Sequence, residues 1–405
     1  MSQGVVQSSV RQIILKQTKK RGFDGHHPWI LEHSIHEPGS TPAVGQVVDL
    51  VREDGKFVGR GLYNAHSRIR VRIYTWDQNE QVNDGLFLRR LDRAIEHRAQ
   101  MSTGEPGESM RLVFSEADQL SGLVVDKYSE HIVVQLTSAA LMAYVPAIAD
   151  RLYELYRPIS ITLQIDERTA KSEGMEPQLK CLLGSAPVEP IEIIENGLRW
   201  YVDLNAGQKT GYYLDQRENR LASVRWIPDH ANVLDVCTYI GGFALTIAKN
   251  RPHASIMAID SSEKALHTAR EHAELNGVQD RVKFIHADFF DYLSAQVDAG
   301  VTYDAIVLDP PRLASSRDNL QRALAAYHRL NFLAMRLLQP GGTLVTCSCS
   351  GRVSRQEFRD MLKGVATRVR REVQIIEDRG AASDHPSCLS CPETDYLKCI
   401  IARVL

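Results

Sequence analysis

The chain has 405 residues, 43% hydrophobic and 24% charged, with 48 Lys+Arg against 50 Asp+Glu. That length exceeds one ordinary core and suggests two or three domains. No apolar run is long enough to cross a bilayer, and the opening MSQGVVQSSVRQIILKQTKKRG lacks the apolar stretch of a secretory leader. Seven cysteines without a regular framework suit a reducing cytoplasm better than a disulfide scaffold. Residues 1–76 carry 11 Lys+Arg and 6 Asp+Glu, a net of +5, which leaves −7 for the rest of a chain whose formal charge is −2. A basic module on an acidic body suits a phosphate or nucleic-acid contact; an ordinary solvated face explains the charge equally well.

In chain order, residues 1–76 read as a small all-β module. Strands are predicted at 45–51, 56–64 and 69–76, with an Asp54-Gly55 turn between the first two. Basic residues Lys16, Lys19, Lys20 and Arg21 precede HHPWIL (26–31), where Trp29 is expected to anchor the small core. Residues 84–101 show helical apolar spacing at Leu86, Leu88, Leu91 and Ile95. A meander over 111–136, a helix over 138–156 and a strand over 160–166 follow. Glu116 and Asp118 are read as turn caps, with a place in a catalytic cleft as the alternative. Residues 171–191 read as a linker with short strands.

From about residue 192, apolar strands alternate with helices. Strands are predicted at 232–237, 255–260, 282–288, 303–309 and 342–348, and helices at 241–250, 262–276 and 318–338. This is the pattern of a doubly wound parallel sheet, giving an α/β catalytic domain behind a small all-β domain and a central α+β domain. The predicted division is 1–78, 79–190 and 191–405.

Ligands of such sheets sit beyond the carboxyl ends of the strands. Those ends carry Asp235, Asp260, Asp288 and Asp309, and the last reads Cys347-Ser348-Cys349. One acid there is most simply a helix cap; four in succession point to a ligand. The glycine loop lacks G-x-G-x-x-G, yet Gly241 and Gly242 allow close backbone approach, and Asp260 lies 19 residues after Gly241, where an acid can take ribose hydroxyls. No P-loop lysine is present. An adenosyl ligand without pyrophosphate fits: S-adenosylmethionine, with Asp288 beside the adenine edge.

VLDVCTYIGGFAL, AID, HADFF and LDPP, in this order, resemble the motifs of class I methyltransferases. QKTGYYLDQRENR (208–220), LDPPRL and TCSCSG, behind the basic HHPWIL module, are similar to the large-subunit ribosomal RNA (cytosine-C5) methyltransferase I family over essentially the whole chain. The resemblance implies an N-terminal PUA domain, a central α+β domain, a Rossmann-like methyltransferase domain and a 23S ribosomal RNA substrate. It implies cofactor contacts from Gln208, Lys209, Thr210, Tyr213, Asp235, Cys237, Thr238, Tyr239, Gly241, Gly242, Asp260, Ser261, Asp288, Phe289 and Asp309. RNA contacts are expected from Lys19, Lys20, Arg21 and Arg312. For Asp215 and Arg217 a structural ion pair is the alternative reading. No membrane partner is expected, and a homodimer is one option for the quaternary state.

C5 of cytosine is a poor nucleophile until a thiolate adds at C6, so this chemistry needs one cysteine close to the base and an acid at N3. Asp309 is the candidate acid, with Pro310-Pro311 stiffening the wall. Strand alternation puts Cys347 and Cys349 on one face and does not separate them. By resemblance the SCSG cysteine is the nucleophile, which is Cys349, leaving Cys347 to pack as a small hydrophobe. Many RNA cytosine-C5 methyltransferases carry a second cysteine where this chain has Arg312, and an aromatic follows there in the family where this chain has Leu313. The competing readings are methylation of another base atom and a non-catalytic RNA-binding assembly factor. Cys388 and Cys391, near His385, have metal-ligand spacing, but no second pair completes a zinc site and no metal is expected.

Overall fold

The computed structural model describes residues 10–17, 25–205, 212–313 and 319–405. The chain forms two compact units. The first comprises Met1–Ile191, Val202–Tyr212 and Ser387–Pro392; the second comprises Glu192–Tyr201, Tyr213–Pro386 and Glu393–Leu405.

The first unit begins with β1 (Arg11–Ile14), β2 (Trp29–Leu31), β3 (Val47–Val51), β4 (Phe57–Tyr63) and β5 (Ile69–Thr75), in sheet order β1-β3-β4-β5-β2. Alternating β-branched and aromatic residues give this sheet a buried face: Ile13, Ile30, Val48, Leu50, Tyr63, Val71 and Ile73 share one core. The two short strands β1 and β2 escape the sequence pattern because three or four residues are too few to show alternation.

Next come α1 (Asp84–Ala99), β6 (Ser109–Phe114), β7 (Leu123–Tyr128), β8 (His131–Leu136), α2 (Val145–Tyr156), β9 (Ser160–Ile165), α3 (Glu167–Glu173) and β10 (Gln178–Gly184). The sheet order is β10-β9-β8-β7-β6. The antiparallel meander β6–β7–β8 matches the expected one, and α2 carries the chain over to β9, which pairs parallel to β8. The single helix expected over 138–156 is instead a 3-10 turn at Ala139–Tyr144 followed by α2. Pro146 lies in the first turn of α2, where its missing N–H costs nothing. The stretch read as a linker holds the edge strand β10, antiparallel to β9.

The two sheets of this unit share a core, since Leu62 and Tyr74 pack among the residues of the central sheet. A polar seam runs beside it. Glu116 accepts from Trp29 Nε1 at 2.8 Å, Ser121 Oγ at 2.7 Å and Arg72 Nη1 at 3.0 Å. Asp118 takes Arg98 at 2.6 and 2.8 Å and caps the Phe114 N–H. Both acids therefore do internal structural work, which replaces the cleft alternative. Trp29 anchors this seam, with Arg72 over its ring.

The second unit takes in the hairpin of β11 (Ile191–Glu195) and β12 (Leu198–Val202), then α4 (Arg217–Val224), β13 (Asn232–Val236), α5 (Gly242–Asn250), β14 (Ser255–Asp260), α6 (Glu263–Leu275), β15 (Val282–His286), α7 (Phe289–Asp298), β16 (Tyr303–Leu308), α8 (Leu320–Leu337), β17 (Leu338–Ser348), α9 (Arg355–Val369), β18 (Val373–Arg379) and β19 (Lys398–Val404). The order is β15-β14-β13-β16-β17-β19-β18. Strands β13 to β17 are parallel, as expected. One further strand is antiparallel: β19 runs against both β17 and β18. A continuous apolar run such as KCIIARV marks a buried strand but not its direction, so this edge is not legible in sequence. The core between sheet and helices holds Leu234, Val236, Ile306, Leu308, Tyr327, Leu344 and Phe358. No described helix is long and apolar enough to cross a membrane.

Candidate active site

The strand order reverses at β13, with β14 on one side and β16 on the other. Asp235, Asp260 and Asp309 all belong to strand ends flanking that point.

Residues 237–241 turn from β13 into α5, and the turn is tight. Cys237, Tyr239 and Gly241 have φ of 62°, 54° and 92°, a left-handed conformation that is costly for the two residues bearing a Cβ. Three contacts hold it. Thr238 Oγ1 donates to Asp235 Oδ2 at 2.6 Å, the Ala244 N–H donates to the same oxygen at 3.0 Å, and the Tyr239 N–H donates to Asp260 Oδ2 at 2.9 Å. Asp260 Oδ1 takes the Ser262 N–H at 2.9 Å. Gly242 is required by Arg220: a Cβ there would stand 2.7 Å from Arg220 Nε. Arg220 is itself buried, donating to Glu195 Oε1 at 2.7 Å and to the Tyr213 carbonyl at 2.9 Å.

Asp235 is sealed from solvent, and its Oδ1 has no hydrogen-bond partner among the described residues. Burial, together with the negative charges of Asp309 and Asp260, pushes this carboxyl up to about 7, against the hydrogen bonds from Thr238 and Ala244. Burial and the same acids also push the Cys237 thiol up, so it stays protonated. An orphaned carboxylate oxygen, a glycine-bearing helix start and a ring of acids fit a ligand that carries positive charge and an adenosyl group.

The other expected residues take mixed positions. Tyr213 meets Tyr239 edge-on, ring centroids 5.4 Å apart. Ser261 follows Asp260 on the surface, its carbonyl 3.0 Å from His286 Nε2. Asp288 caps α7, taking the Phe290 and Asp291 N–H groups at 2.8 and 3.1 Å. Phe289 lies against Phe290 and packs on the sheet core. Arg312 is exposed beyond Pro311. Asp215 and Arg217 find separate partners: Asp215 takes the Tyr396 hydroxyl, and Arg217 lies 3.3 Å from Asp384. Gln208, Lys209, Thr210, Lys19, Lys20 and Arg21 lie outside the described residues.

The two thiols of TCSCSG are separated by their surroundings. Cys347 is fully buried inside β17, opposite Cys399 of β19, and the Cys399 hydrogen bond and burial both push its thiol well up. Cys349 lies one residue past β17, half-buried, with Sγ 3.9 Å from the Pro310 carbonyl. The thiol nearer solvent is therefore the one beside the Asp309-Pro310 strand end.

Sequence reasoning gave no role to Gln216. Its Nε2 donates to Asp309 Oδ1 at 3.0 Å, and its Oε1 takes Asn219 Nδ2 at 2.7 Å. Gln216, Asn219 and Arg220 lie in QKTGYYLDQRENR at three- and four-residue spacing, a signal that one helical face was pointing inward. Lys398 was missed as well, because nothing in KCIIARV marks a buried charge.

Two domain families match. Residues 13–76 match the PUA-like domain, and residues 171–380 match the S-adenosylmethionine-dependent methyltransferase domain. The chain is 38% identical over 395 residues to a ribosomal RNA large subunit methyltransferase I of Shewanella denitrificans (strain OS217), covering 97% of this chain and 99% of that protein. It is 35% identical to the protein of the same name from Klebsiella pneumoniae (strain 342), covering 97% and 98%. The fold matches the solved structure of SMU.776 complexed with SAH at a TM-score of 0.83 and 18% identity, over 98% of this chain and 100% of that one. The chain thus belongs to the ribosomal RNA large subunit methyltransferase I family, with a PUA-like domain ahead of its S-adenosylmethionine-dependent methyltransferase domain.

Proposed function

We propose that this enzyme methylates C5 of a cytosine in 23S ribosomal RNA through a covalent cysteine–C6 adduct. The observation that carries the reading is the placement of Cys349 past the end of β17, beside the Pro310 carbonyl, while Cys347 is enclosed. The names of the 35–38% identical relatives support a large-subunit ribosomal RNA substrate.

Bound S-adenosylmethionine supplies an electrophilic methyl group. Asp235, Thr238, Gly241, Gly242 and Asp260 form the cradle on the β13–β14 side, and Asp260 is the acceptor for ribose hydroxyls. Tyr213, Tyr239, Ser261, Asp288 and Phe289 line its rim, and Gln208, Lys209, Thr210 and Cys237 complete the assignment. Cys349 adds to C6, and its sulfur lone pair forms the S–C6 bond while the ring electrons move toward N3. Asp309 in its carboxylic acid form, oriented by Gln216, gives its proton to N3 of that adduct and so neutralises it. C5, now enamine-like, takes the methyl group. Loss of the C5 proton to water then returns an electron pair that expels the thiolate, and N3 returns its proton to Asp309. Residues 1–78 are assigned to RNA binding through Lys19, Lys20 and Arg21, residues 79–190 to support, and residues 191–405, with Arg312, to catalysis and the target strand.

The test is nucleoside mass mapping of 23S ribosomal RNA from cells with and without the gene. Loss of one 5-methylcytidine on deletion, restored by the wild-type gene but not by Cys349→Ala, is the expected result. Loss of a different methylated nucleoside sinks the C5 assignment.

A further inference from the structure

Among the described residues Lys398 is the one buried lysine, 1% exposed. Its Nζ donates to the carbonyls of Ser350 and Tyr396, each at 2.8 Å. No carboxylate lies within ion-pair distance of it among the described residues. The Asp395 carboxylate in the same loop is instead engaged by Arg355 at 3.1 Å. A lysine ammonium has three donors, so one remains after the two carbonyls, and neutral carbonyls do not offset a buried charge. A group enclosed in this way needs an anion nearby.

The fold places one candidate there. In the antiparallel register of β17 and β19, Lys398 stands opposite Ser348, the residue before Cys349. The carbonyl it holds belongs to Ser350, the residue after. Tyr327 of α8 fixes the same segment from another side, its hydroxyl 3.1 Å from Ser350 Oγ. The thiol that the proposed mechanism uses therefore sits on the short segment that leaves β17, between a residue opposite Lys398 and a carbonyl that Lys398 holds.

We propose that Lys398 is the counter-ion of the Cys349 thiolate, a positioning residue that fixes the Ser348–Ser350 segment at the end of β17 and favours the ionised thiol. The inference rests on Cys349 as the nucleophile. Burial brings the Lys398 ammonium down to about 8; Asp395 and a Cys349 thiolate favour its charge, while Arg355 and Arg312 oppose it. On the thiol side, Cys349 and Asp309 both act on the Tyr327 hydroxyl, and a carboxylate at the Asp309-Pro310 strand end disfavours a thiolate unless a cation offsets it. The same ammonium stabilises the thiolate when it leaves C6 with the electron pair of the broken S–C6 bond.

The experiment is alkylation of the full chain by iodoacetamide as a function of pH, with the Cys349 peptide quantified by mass spectrometry. It is run on wild type, Lys398→Met and Lys398→Arg, without RNA or methyl donor. A free thiol titrates near 8.5. The expected wild-type midpoint lies below that; Lys398→Met raises it and slows alkylation at pH 7 at least tenfold, and Lys398→Arg restores most of the rate. A wild-type midpoint at or above the free-thiol value, or a Lys398→Met midpoint equal to wild type, overturns the proposal. A role confined to holding the Ser350 carbonyl would not move the midpoint. If Lys398→Met does not fold, the wild-type profile still decides. Methylation that survives Cys349→Ala would sink the functional reading instead, and the two failures are told apart because the alkylation assay involves no transfer.

Discussion

Gln216 donates through Nε2 to Asp309 Oδ1 at 3.0 Å, tying the turn before α4 to the end of β16. The amide fixes one carboxylate oxygen as an acceptor and so sets the direction of the other. Gln216→Glu would bring two carboxylates together and raise the affinity of one for a proton. We expect that substitution to cut kcat about 100-fold with little change in S-adenosylmethionine affinity, by the magnitude typical for a lost polar contact to the reacting centre. Steady-state kinetics with calorimetry checks it, and an unchanged kcat would make the contact purely structural.

The two thiols should separate cleanly. Cys349→Ala should abolish transfer while folding and cofactor binding persist. Cys347→Ala should keep most activity with a packing cost of about 1 kcal/mol for a small buried group. RNA with 5-fluorocytosine at the target should trap an adduct mapping to Cys349, since fluorine cannot leave as a proton does. An adduct on Cys347 reverses the assignment.

Asp260 takes two backbone N–H groups, one from the β13–α5 turn and one from the start of α6. Asp260→Ala should weaken S-adenosylmethionine binding by about 1.5–3 kcal/mol, the worth of a charge-assisted hydrogen bond. Calorimetry giving wild-type affinity would remove it from the site.

Asp235 gives a pH signature. Its carboxyl is raised to about 7, so the folded, ligand-free protein binds its proton more tightly than the unfolded chain does. That group's contribution to stability is present below the ordinary carboxyl range and is lost as pH rises toward 7. A cationic ligand favours the ionised form, so S-adenosylmethionine affinity should rise between pH 6 and 8, and Asp235→Asn should flatten the dependence. A sloping profile in that variant assigns the titration elsewhere.

Glu116 carries the opposite sign. Burial raises its pKa, but Arg72 and hydrogen bonds from Ser121, Ser115 and Trp29 more than compensate and leave it lowered. Its contribution is whole above the ordinary glutamate range and is lost as pH falls through the lower folded value. Arg72→Met should cost about 3–5 kcal/mol, because the carboxylate is left buried without its partner. Urea denaturation measures this, and a loss below about 1 kcal/mol would show the seam to be solvated.

What the sequence made legible was whatever repeats locally. The parallel strands β13 to β17 and the acids at their ends follow from apolar runs punctuated by Asp, and the order of motifs was enough to name the family. What stayed hidden was set by partners distant in the chain. Cys347 and Cys349 are equivalent by alternation and differ because Cys399 is brought against one of them while the other lies past the end of β17. Lys398 is one residue in an apolar run until β17 fixes what it faces. Gln216 gains its meaning from Asp309, 93 positions away.

The position of β19 bears on how the enzyme is born. Among the described residues it follows every other strand, yet it lies between β17 and β18 and is the only strand that β18 pairs with. Residues 387–392 also belong to the first unit, so neither unit is complete until the ribosome has made this stretch. A nascent chain that already carries Cys349 still lacks Lys398. A stalled or clipped chain would leave β17 with an open edge and an unsupported thiol segment, which quality-control proteases can remove before it meets RNA.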